Sequence, residues 1–348
     1  MSIPDQLNQP HDVPPSAALA QMIHGYQRSQ VLYVAAKLGI ANLLKDRPKS
    51  CEALAQATGT HARSLYRVLR YLASIGVFTE GQHAEFGLTP LAACLQTGVP
   101  GSRRAMAIMH GEEHYRAWGE ILYSVKTGEP AFNHLFGQGV FAYLAAHPEA
   151  AAVLNEGMTD RATEMAHAVV QVYDFSSYGT IVDVGGGYGT FLTALLQANP
   201  QARGILFDQP HVVAGATKHI EASGLGGRCH TVAGDFFTAV PAGGDAYVLT
   251  RVLHDWDEAH SLAILRSCYR AMAEHGTLLV IEQVIPPGNA PSRSKLADLN
   301  MLVFAGGCER TEAEYHALFA AAGFTLRRII PTQSLFSVIE GVRTSRQA

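Results

Sequence analysis

The segment VDVGGGYGTF, residues 182–191, decides the fold. It begins as an apolar run typical of a buried strand, passes through a glycine-rich turn and enters a helix. Glycine falls at positions 185, 187 and 189, giving the pattern G-x-G-x-G. A dinucleotide-binding turn has its third glycine at the place occupied here by Thr190. The segment therefore predicts a strand, turn and helix that hold a ligand other than a dinucleotide, with a ligand-free tight turn as the alternative.

Downstream of this turn, short β-rich runs alternate with helical stretches, which predicts an α/β fold. The seven runs are nearly continuously apolar, as in a parallel, doubly wound sheet: TIVDVGG, GILFDQ, CHTVAGD, DAYVLTRVL, GTLLVIEQVI, TLRRIIPT and LFSVIEGV. A short turn near Gln333 joins the last two runs, and a short connection joins only antiparallel strands. We therefore predict a mostly parallel seven-stranded sheet with one reversed strand.

The chain before this sheet is predicted to be mainly helical. A helix, a turn at Gly59, a second helix over about residues 62–74 and a short hairpin follow one another, which is the order of a winged helix-turn-helix. Further helices follow, with a break at TGEPAF. The prediction is a winged-helix domain, a helical connector and a sheet domain over residues 1–100, 101–175 and 176–348.

Composition restricts the classes of function. The 348 residues are 48% hydrophobic and 16% charged, enough to build more than one core. The net charge of -4 gives no reason to expect binding to nucleic acid or to an anionic membrane. The five cysteines are dispersed and form no C-x-x-C, which favours a reducing cytoplasm over a disulfide framework or a zinc site. No apolar run approaches the roughly 18 residues of a membrane span.

Polar residues suited to ligand binding follow three successive strands, and ligands of open α/β sheets bind at the carboxyl ends of strands. The glycine turn follows the first strand. Asp208 ends the second, where a carboxylate can bind the two hydroxyls of a ribose; the alternative is an N-cap for a helix starting near Pro210. Asp235 and Phe236 follow the third strand and could hold an adenine.

The fourth strand gives way abruptly to the ionisable segment RVLHDWDE, residues 251–258. Because it follows that strand, His254 is predicted to lie at the same edge of the sheet, where it can act as a proton acceptor. Asp255 and Asp257 are interpreted as acids at the start of the next helix.

Six segments occur in a fixed order: the glycine turn, FDQPHV, GDFF, RVLHDWDE, VIEQVIP and GGCERTEAEY. From about residue 20 to 342 the chain resembles the plant caffeate-type O-methyltransferase family and its bacterial relatives. The resemblance implies a Rossmann-like catalytic domain, S-adenosylmethionine as cofactor and no metal. It also implies methyl transfer to a phenolic hydroxyl of a small aromatic or polyketide-like metabolite.

The resemblance assigns roles to individual residues. His254 matches the general base, and Glu282 and Glu309 match the two acids that flank it. An acid inside an apolar strand, as Glu282 is, needs a partner, whereas Glu309 could be a loop acid ahead of an N-cap at Thr311. The cofactor pocket matches Gly185, Gly187, Asp208, Asp235, Phe236 and Thr250. The acceptor site matches Met158, Asn300, Met301 and Phe304, for which ordinary core packing is the alternative.

The segment SAALAQMIHGYQRSQVLYVAAKLGIANLL, residues 16–44, is interpreted as a helix that is apolar on more than one face. Such a helix needs wide burial, and a second subunit is the natural cover. The resemblance implies the same homodimer through the N-terminal domain, with an interface above about 2,000 Å².

Two rival functions remain open at this stage. A transcription regulator would use the basic residues of the second winged-helix segment, which are His61, Arg63, Arg67 and Arg70. That segment has an equally clear apolar face, made by Leu65, Val68, Leu69 and Leu72. An enzyme of the same family with altered chemistry, a decarboxylase or hydroxylase, would keep the cofactor.

Overall fold

The computed structural model describes residues 14–344. The chain divides into two compact units. Of the described residues, one unit contains 14–115 together with 148–157, and the other contains 116–147 and 158–344. No helix within residues 14–344 is both long and apolar enough to cross a membrane.

The first unit contains a winged helix-turn-helix, as predicted. Its elements are α1 (Pro15–Ile23), α2 (Gly25–Lys37), α3 (Ile40–Leu43), β1 (Lys49–Ser50), α4 (Cys51–Thr58), α5 (Ala62–Ser74), β2 (Phe78–Glu80), β3 (Glu85–Leu88), α6 (Pro90–Ala93) and α7 (Arg104–Gly111). Gly59 ends α4 in the left-handed region, and α5 buries a stripe of three leucines: Leu65, Leu69 and Leu72.

The prediction of one continuous helix over residues 16–44 is wrong. The segment forms three helices, interrupted at His24 and again at Leu38 and Gly39. Gly39 has a φ of 65°, a left-handed conformation that ends a helix and that glycine adopts without strain.

Helices continue up to the sheet. They are α8 (Glu113–Gly119), α9 (Ile121–Thr127), α10 (Ala131–Phe136), α11 (Val140–Ala146) and α12 (Pro148–Val170). The break predicted at TGEPAF is confirmed, because α9 ends at Thr127 and α10 begins at Ala131. Gly128 closes α9 with a φ of 79°.

The second unit is built on the predicted seven-stranded sheet. Its elements are β4 (Thr180–Val184), α13 (Thr190–Ala198), β5 (Arg203–Asp208), α14 (Pro210–Ala222), β6 (Cys229–Ala233), β7 (Ala246–Thr250), α15 (Glu258–Ala271), β8 (Thr277–Glu282), β9 (Val284–Ile285), α16 (Arg293–Phe304), β10 (Arg310–Thr311), α17 (Glu312–Ala322), β11 (Phe324–Pro331) and β12 (Ser337–Arg343). The strand order is β11-β12-β8-β7-β4-β5-β6.

The reversed strand is β12, which is antiparallel to both β11 and β8, while β4 to β8 are parallel. Both faces of the sheet are covered by apolar side chains, so every residue of β8 is buried. Because β4 to β8 run in one direction, the residues that follow them meet at one edge of the sheet. The candidate site lies at this carboxyl edge.

Candidate active site

The glycine turn after β4 presents bare backbone at the carboxyl edge. Gly185 and Gly187 have φ values of 72° and 59°. A Cβ atom at Gly185 would lie 2.9 Å from the side chain of Val252, and one at Gly186 would lie 2.6 Å from Oδ2 of Asp183. The turn therefore requires glycine for its backbone conformation and for close packing, as predicted for a ligand-binding turn.

Asp208, at the end of β5, is tied to this turn. Its Oδ2 accepts a hydrogen bond from the backbone N–H of Gly187 (2.8 Å), and its Oδ1 accepts one from the N–H of Gln209 (2.7 Å). Gln209 is the N-cap residue of α14, so the helix-cap alternative for Asp208 is wrong. Each carboxylate oxygen keeps a free lone pair, and the side chain is partly exposed. This arrangement fits a ligand with two neighbouring hydroxyls.

The other predicted cofactor residues lie after β6 and at the end of β7. Asp235 accepts the N–H of Phe237 at 2.9 Å. The ring of Phe236 approaches Gly185, where an added Cβ would meet it at 3.6 Å. The hydroxyl oxygen of Thr250 is buried without a hydrogen-bond partner within the described part of the chain.

Asp183, beneath the glycine turn, is a buried carboxylate whose oxygens lack hydrogen-bond partners in the described part of the chain. Burial, together with the negative charge of Asp208, raises its pKa to about 7. Such unpartnered buried groups call for an explanation. With the bare glycine turn and the free lone pairs of Asp208, they fit a polar, positively charged ligand such as S-adenosylmethionine.

His254 lies in a short 3₁₀ turn after β7 and is only 4% exposed. Its Nδ1 is 3.0 Å from Oε1 of Glu309, and Nε2 of Gln283 donates to the same oxygen at 3.3 Å. An ionised carboxylate only accepts hydrogen bonds, so Nδ1 of His254 carries the proton in this pair. Nε2 is then the ring nitrogen that can accept a proton from another molecule.

The prediction that Glu282 flanks the imidazole is only partly met. Its Oε1 accepts the backbone N–H of His254 at 3.1 Å, and its Oε2 accepts the hydroxyl of Tyr315 at 2.6 Å. Glu282 therefore fixes the backbone of His254, and no ring contact is among its hydrogen bonds. Glu309 does contact the ring. Thr311 is the N-cap of α17, as the alternative for Glu309 supposed, but Glu309 is not a plain loop acid ahead of it, because it is 4% exposed and contacts the ring of His254.

Asp255 has a position that the sequence did not indicate. Its Oδ1 lies 3.5 Å from Nε2 of His254, whereas Asp257 caps α15 by accepting the N–H of His260, as predicted. Burial works against the charged form of His254. The charge of Asp255 and the hydrogen bond to Glu309 outweigh burial, and the pKa of His254 is raised. The site thus stabilises the imidazolium that proton uptake would form.

Two further residues that sequence reasoning missed hold the His254 segment in place. Arg310 is buried and donates to the carbonyl oxygens of Leu253 and Trp256, each at 3.0 Å. Gly307 packs so closely that a Cβ there would overlap the carbonyl oxygen of His254. Both residues lie in the quoted segment GGCERTEAEY, but the sequence gives no sign of contacts made some fifty positions away.

The predicted acceptor residues fall into two groups. Met158 lies beside the His254 segment, with its sulfur 2.9 Å from Nη1 of Arg251. Two of the residues on α16 instead contact aromatic side chains of the preceding helices. Asn300 accepts the indole N–H of Trp118 at 3.1 Å, and the ring of Phe304 packs on Phe132 with their centroids 4.6 Å apart. Met301, also on α16, is buried.

Comparison with known proteins gives a consistent result. A family model described as an O-methyltransferase domain matches residues 118–325, and one described as an O-methyltransferase dimerisation domain matches residues 20–98. The chain belongs to the O-methyltransferase family. It is 55% identical to the phenazine O-methyltransferase PhzM of Lysobacter antibioticus, covering 94% of this chain and 96% of that protein.

Solved structures agree with this assignment. The crystal structure of LaPhzM matches with a TM-score of 0.92 and 55% identity over 95% of this chain and all of that one. The O-methyltransferase NcsB1 from neocarzinostatin biosynthesis was solved with S-adenosylmethionine and 2-hydroxy-5-methyl naphthoic acid. It matches with a TM-score of 0.81 and 33% identity over 91% of this chain and 96% of that chain.

The family confirms three predictions. The fold is the predicted one, the family's cofactor is S-adenosylmethionine, and the chain is an enzyme of the methyltransferase class. The relatives named above act on or bind small aromatic compounds.

Proposed function

We propose that this enzyme transfers the methyl group of S-adenosylmethionine to a phenolic hydroxyl of a small aromatic metabolite, with His254 as the general base. One observation carries the proposal. His254 is buried at the carboxyl edge of the sheet and its Nδ1 is held by Glu309, so Nε2, which lies 3.5 Å from Oδ1 of Asp255, would be the proton acceptor. An amine acceptor that is already neutral would need no such base at the moment of attack.

The protein's own groups account for most of the expected catalysis. S-adenosylmethionine, when bound, supplies a methyl group on a sulfonium that is already a good leaving group. Nε2 of His254 removes the proton of the hydroxyl, and Glu309 and Asp255 stabilise the resulting imidazolium. Glu282 and Arg310 keep the backbone of His254 fixed, so that the base need not reorganise.

The donor is proposed to bind along the carboxyl edge. Asp208 would accept hydrogen bonds from the ribose hydroxyls, and Phe236 and Asp235 would hold the adenine, with Thr250 nearby. The bare turn at Gly185 and Gly187 would lie against the remainder of the donor.

We also propose that the chain has three parts, residues 1–100, 101–175 and 176–348. The middle part and α16 would form the acceptor site, with Met158, Asn300, Met301 and Phe304 as its side chains.

The acceptor is proposed to be a flat, fused aromatic compound bearing a hydroxyl. Relatives include a phenazine O-methyltransferase and an enzyme solved with a naphthoic acid. In this chain, methionine and aromatic side chains among the candidate acceptor residues suit such a surface.

The decisive test is His254→Ala, assayed with a hydroxylated phenazine or naphthalene whose hydroxyl has a high pKa. The rate should fall about 10²- to 10⁴-fold, while the dissociation constant for S-adenosylhomocysteine stays near the wild-type value. His260→Ala, in an exposed histidine of α15, is the matched control and should leave the rate unchanged. Retention of most activity by His254→Ala, or methylation of nitrogen in the wild-type product, would contradict the proposal.

We also propose a homodimer formed by the N-terminal unit. No residue of α1 is buried, and three of its apolar side chains are more than half exposed: Leu19, Met22 and Ile23. Exposed apolar surface of this kind calls for a partner, and the dimerisation-domain match covers this helix from residue 20 onward. Light scattering at micromolar concentration should give about twice the chain mass of 37.4 kDa, and a mass equal to one chain would refute the dimer.

A further inference from the structure

Arg251 has an unusual backbone conformation next to the base. It follows β7 directly, and its N–H donates to the carbonyl oxygen of Ile281 at 3.1 Å. Its φ is 55°, in the left-handed region that favours glycine. Strained residues of this kind cluster at functional sites. An arginine at a position suited to glycine suggests that its side chain has a role.

The described partners of the Arg251 guanidinium are uncharged side chains. Its Nη1 lies 2.9 Å from the sulfur of Met158, and the group sits 6.0 Å from the ring centroid of Phe336. A thioether is a weak acceptor and an aromatic ring carries no net charge. Among the side chains that the structure describes, no carboxylate forms a salt bridge with Arg251. The side chain is only partly exposed, so its positive charge is not fully hydrated.

The position of this cation relates it to the reaction. Arg251 lies three residues before His254, and its charge is close enough to disfavour the imidazolium, against the opposite effect of Asp255 and Glu309. Met158, its contact, is one of the candidate acceptor residues. An anion bound by Arg251 would therefore lie near the atoms that the base acts on.

We propose that Arg251 recognises an anionic substituent, in the first place a carboxylate, on the aromatic acceptor, and thereby determines substrate specificity. This inference rests on the proposed function. The planar guanidinium matches a carboxylate with two parallel hydrogen bonds, and the apolar neighbours Met158 and Phe336 limit competition from water. The preferred acceptor is thus a hydroxylated aromatic acid rather than a neutral phenol.

The test compares matched acids and amides. The probes are 3-hydroxy-2-naphthoic acid and 6-hydroxy-2-naphthoic acid, each with its carboxamide, and affinities are measured by calorimetry in the presence of S-adenosylhomocysteine. Wild-type enzyme should bind at least one acid about tenfold or more tightly than its amide. Arg251→Met should abolish that preference, and Arg251→Lys should retain part of it. The control is Arg203→Met, at an exposed arginine at the start of β5, and it should behave as wild type.

Several outcomes would overturn the inference. These are equal affinity of wild type for acid and amide, a preference that survives in Arg251→Met, and binding of none of the four compounds. Weakened binding of S-adenosylhomocysteine in Arg251→Met, with the acid preference intact, would assign the cation to the donor's carboxylate instead. Methylation of neutral phenols by wild type in any of these cases would leave the proposed function standing, because it depends on His254 and not on Arg251.

Discussion

Glu309→Gln tests the central contact of the site, because it removes one charge and preserves the shape of the side chain. The Nδ1 atom of His254 is 3.0 Å from Oε1 of Glu309, and the two side chains are 5% and 1% exposed. Water therefore has little access to replace the lost charge. A hydrogen bond to a charged group contributes about 1.5–3 kcal/mol, and about 1.4 kcal/mol corresponds to a factor of ten. We expect the maximal rate to fall about 10- to 150-fold.

The same variant should change the pH profile in a defined direction. The base is active only when neutral, so activity is lost as pH falls through the pKa of His254. The hydrogen bond to Glu309 contributes to raising that pKa. Its loss should move the acidic limb of the rate profile to lower pH, even though the plateau is lower.

The assay is methyl transfer from labelled S-adenosylmethionine to a hydroxylated phenazine between pH 5.5 and 9, with circular dichroism to verify folding. The matched control is Glu314→Gln, which makes the same change at an exposed acid of the α17 capping box. The control should change stability little, because Gln also completes a capping box at this position, and it should leave the rate near wild type. A Glu309→Gln rate within threefold of wild type, with an unshifted acidic limb, would refute the role assigned to this pair.

Three other substitutions follow from the geometry. Asp208→Asn should weaken calorimetric binding of S-adenosylmethionine by about 10- to 150-fold for each charge-assisted bond lost, and unchanged affinity would leave Asp208 with only its bond to the glycine turn. Gly307→Ala should lower kcat at least tenfold in a folded protein, because the added Cβ displaces the backbone of His254; an unchanged kcat would show that the contact is not needed. Native Asp183 titrates at about 7 against an ordinary 3.8, so the folded state binds the extra proton and the free energy of unfolding should fall as pH rises from about 4 to 7. Asp183→Asn should remove this fall in urea titrations without ligand, and a parallel profile in variant and wild type would contradict it.

The sequence by itself determined the sheet and the edge that carries the site. Alternating apolar strands and helices specify a parallel sheet, because strands buried on both faces must be apolar throughout, as β8 is. The short connection before β12 determined that this strand is reversed. The glycine turn could also be predicted from the sequence, because the left-handed backbone conformation at Gly185, Gly187 and Gly189 admits few other residues.

The division of residues 16–44 into three helices could not be predicted from the sequence in this way. Apolar periodicity continues across Gly39, and a glycine inside such a pattern can be tolerated within a helix or can end it. Packing of the whole unit decides between these outcomes. The same limit applied to Asp208, for which a helix cap and a ligand contact were both open until the structure placed the N-cap of α14 at Gln209 and excluded the cap.

Only the tertiary structure decided which atoms each charged residue of the site contacts. Glu309 and Glu282 both came from the sequence, yet one contacts the ring of His254 and the other its backbone amide. These hydrogen bonds and those of Arg310 depend on tenths of an ångström and on side-chain rotation, and among them the residues farthest apart in the chain are separated by 57 positions. The contacts of Asp255 with Nε2 of His254 and of Arg251 with Met158 could not be predicted for the same reason. A strand pattern fixes which edge a residue reaches, whereas the direction of its side chain depends on everything packed around it.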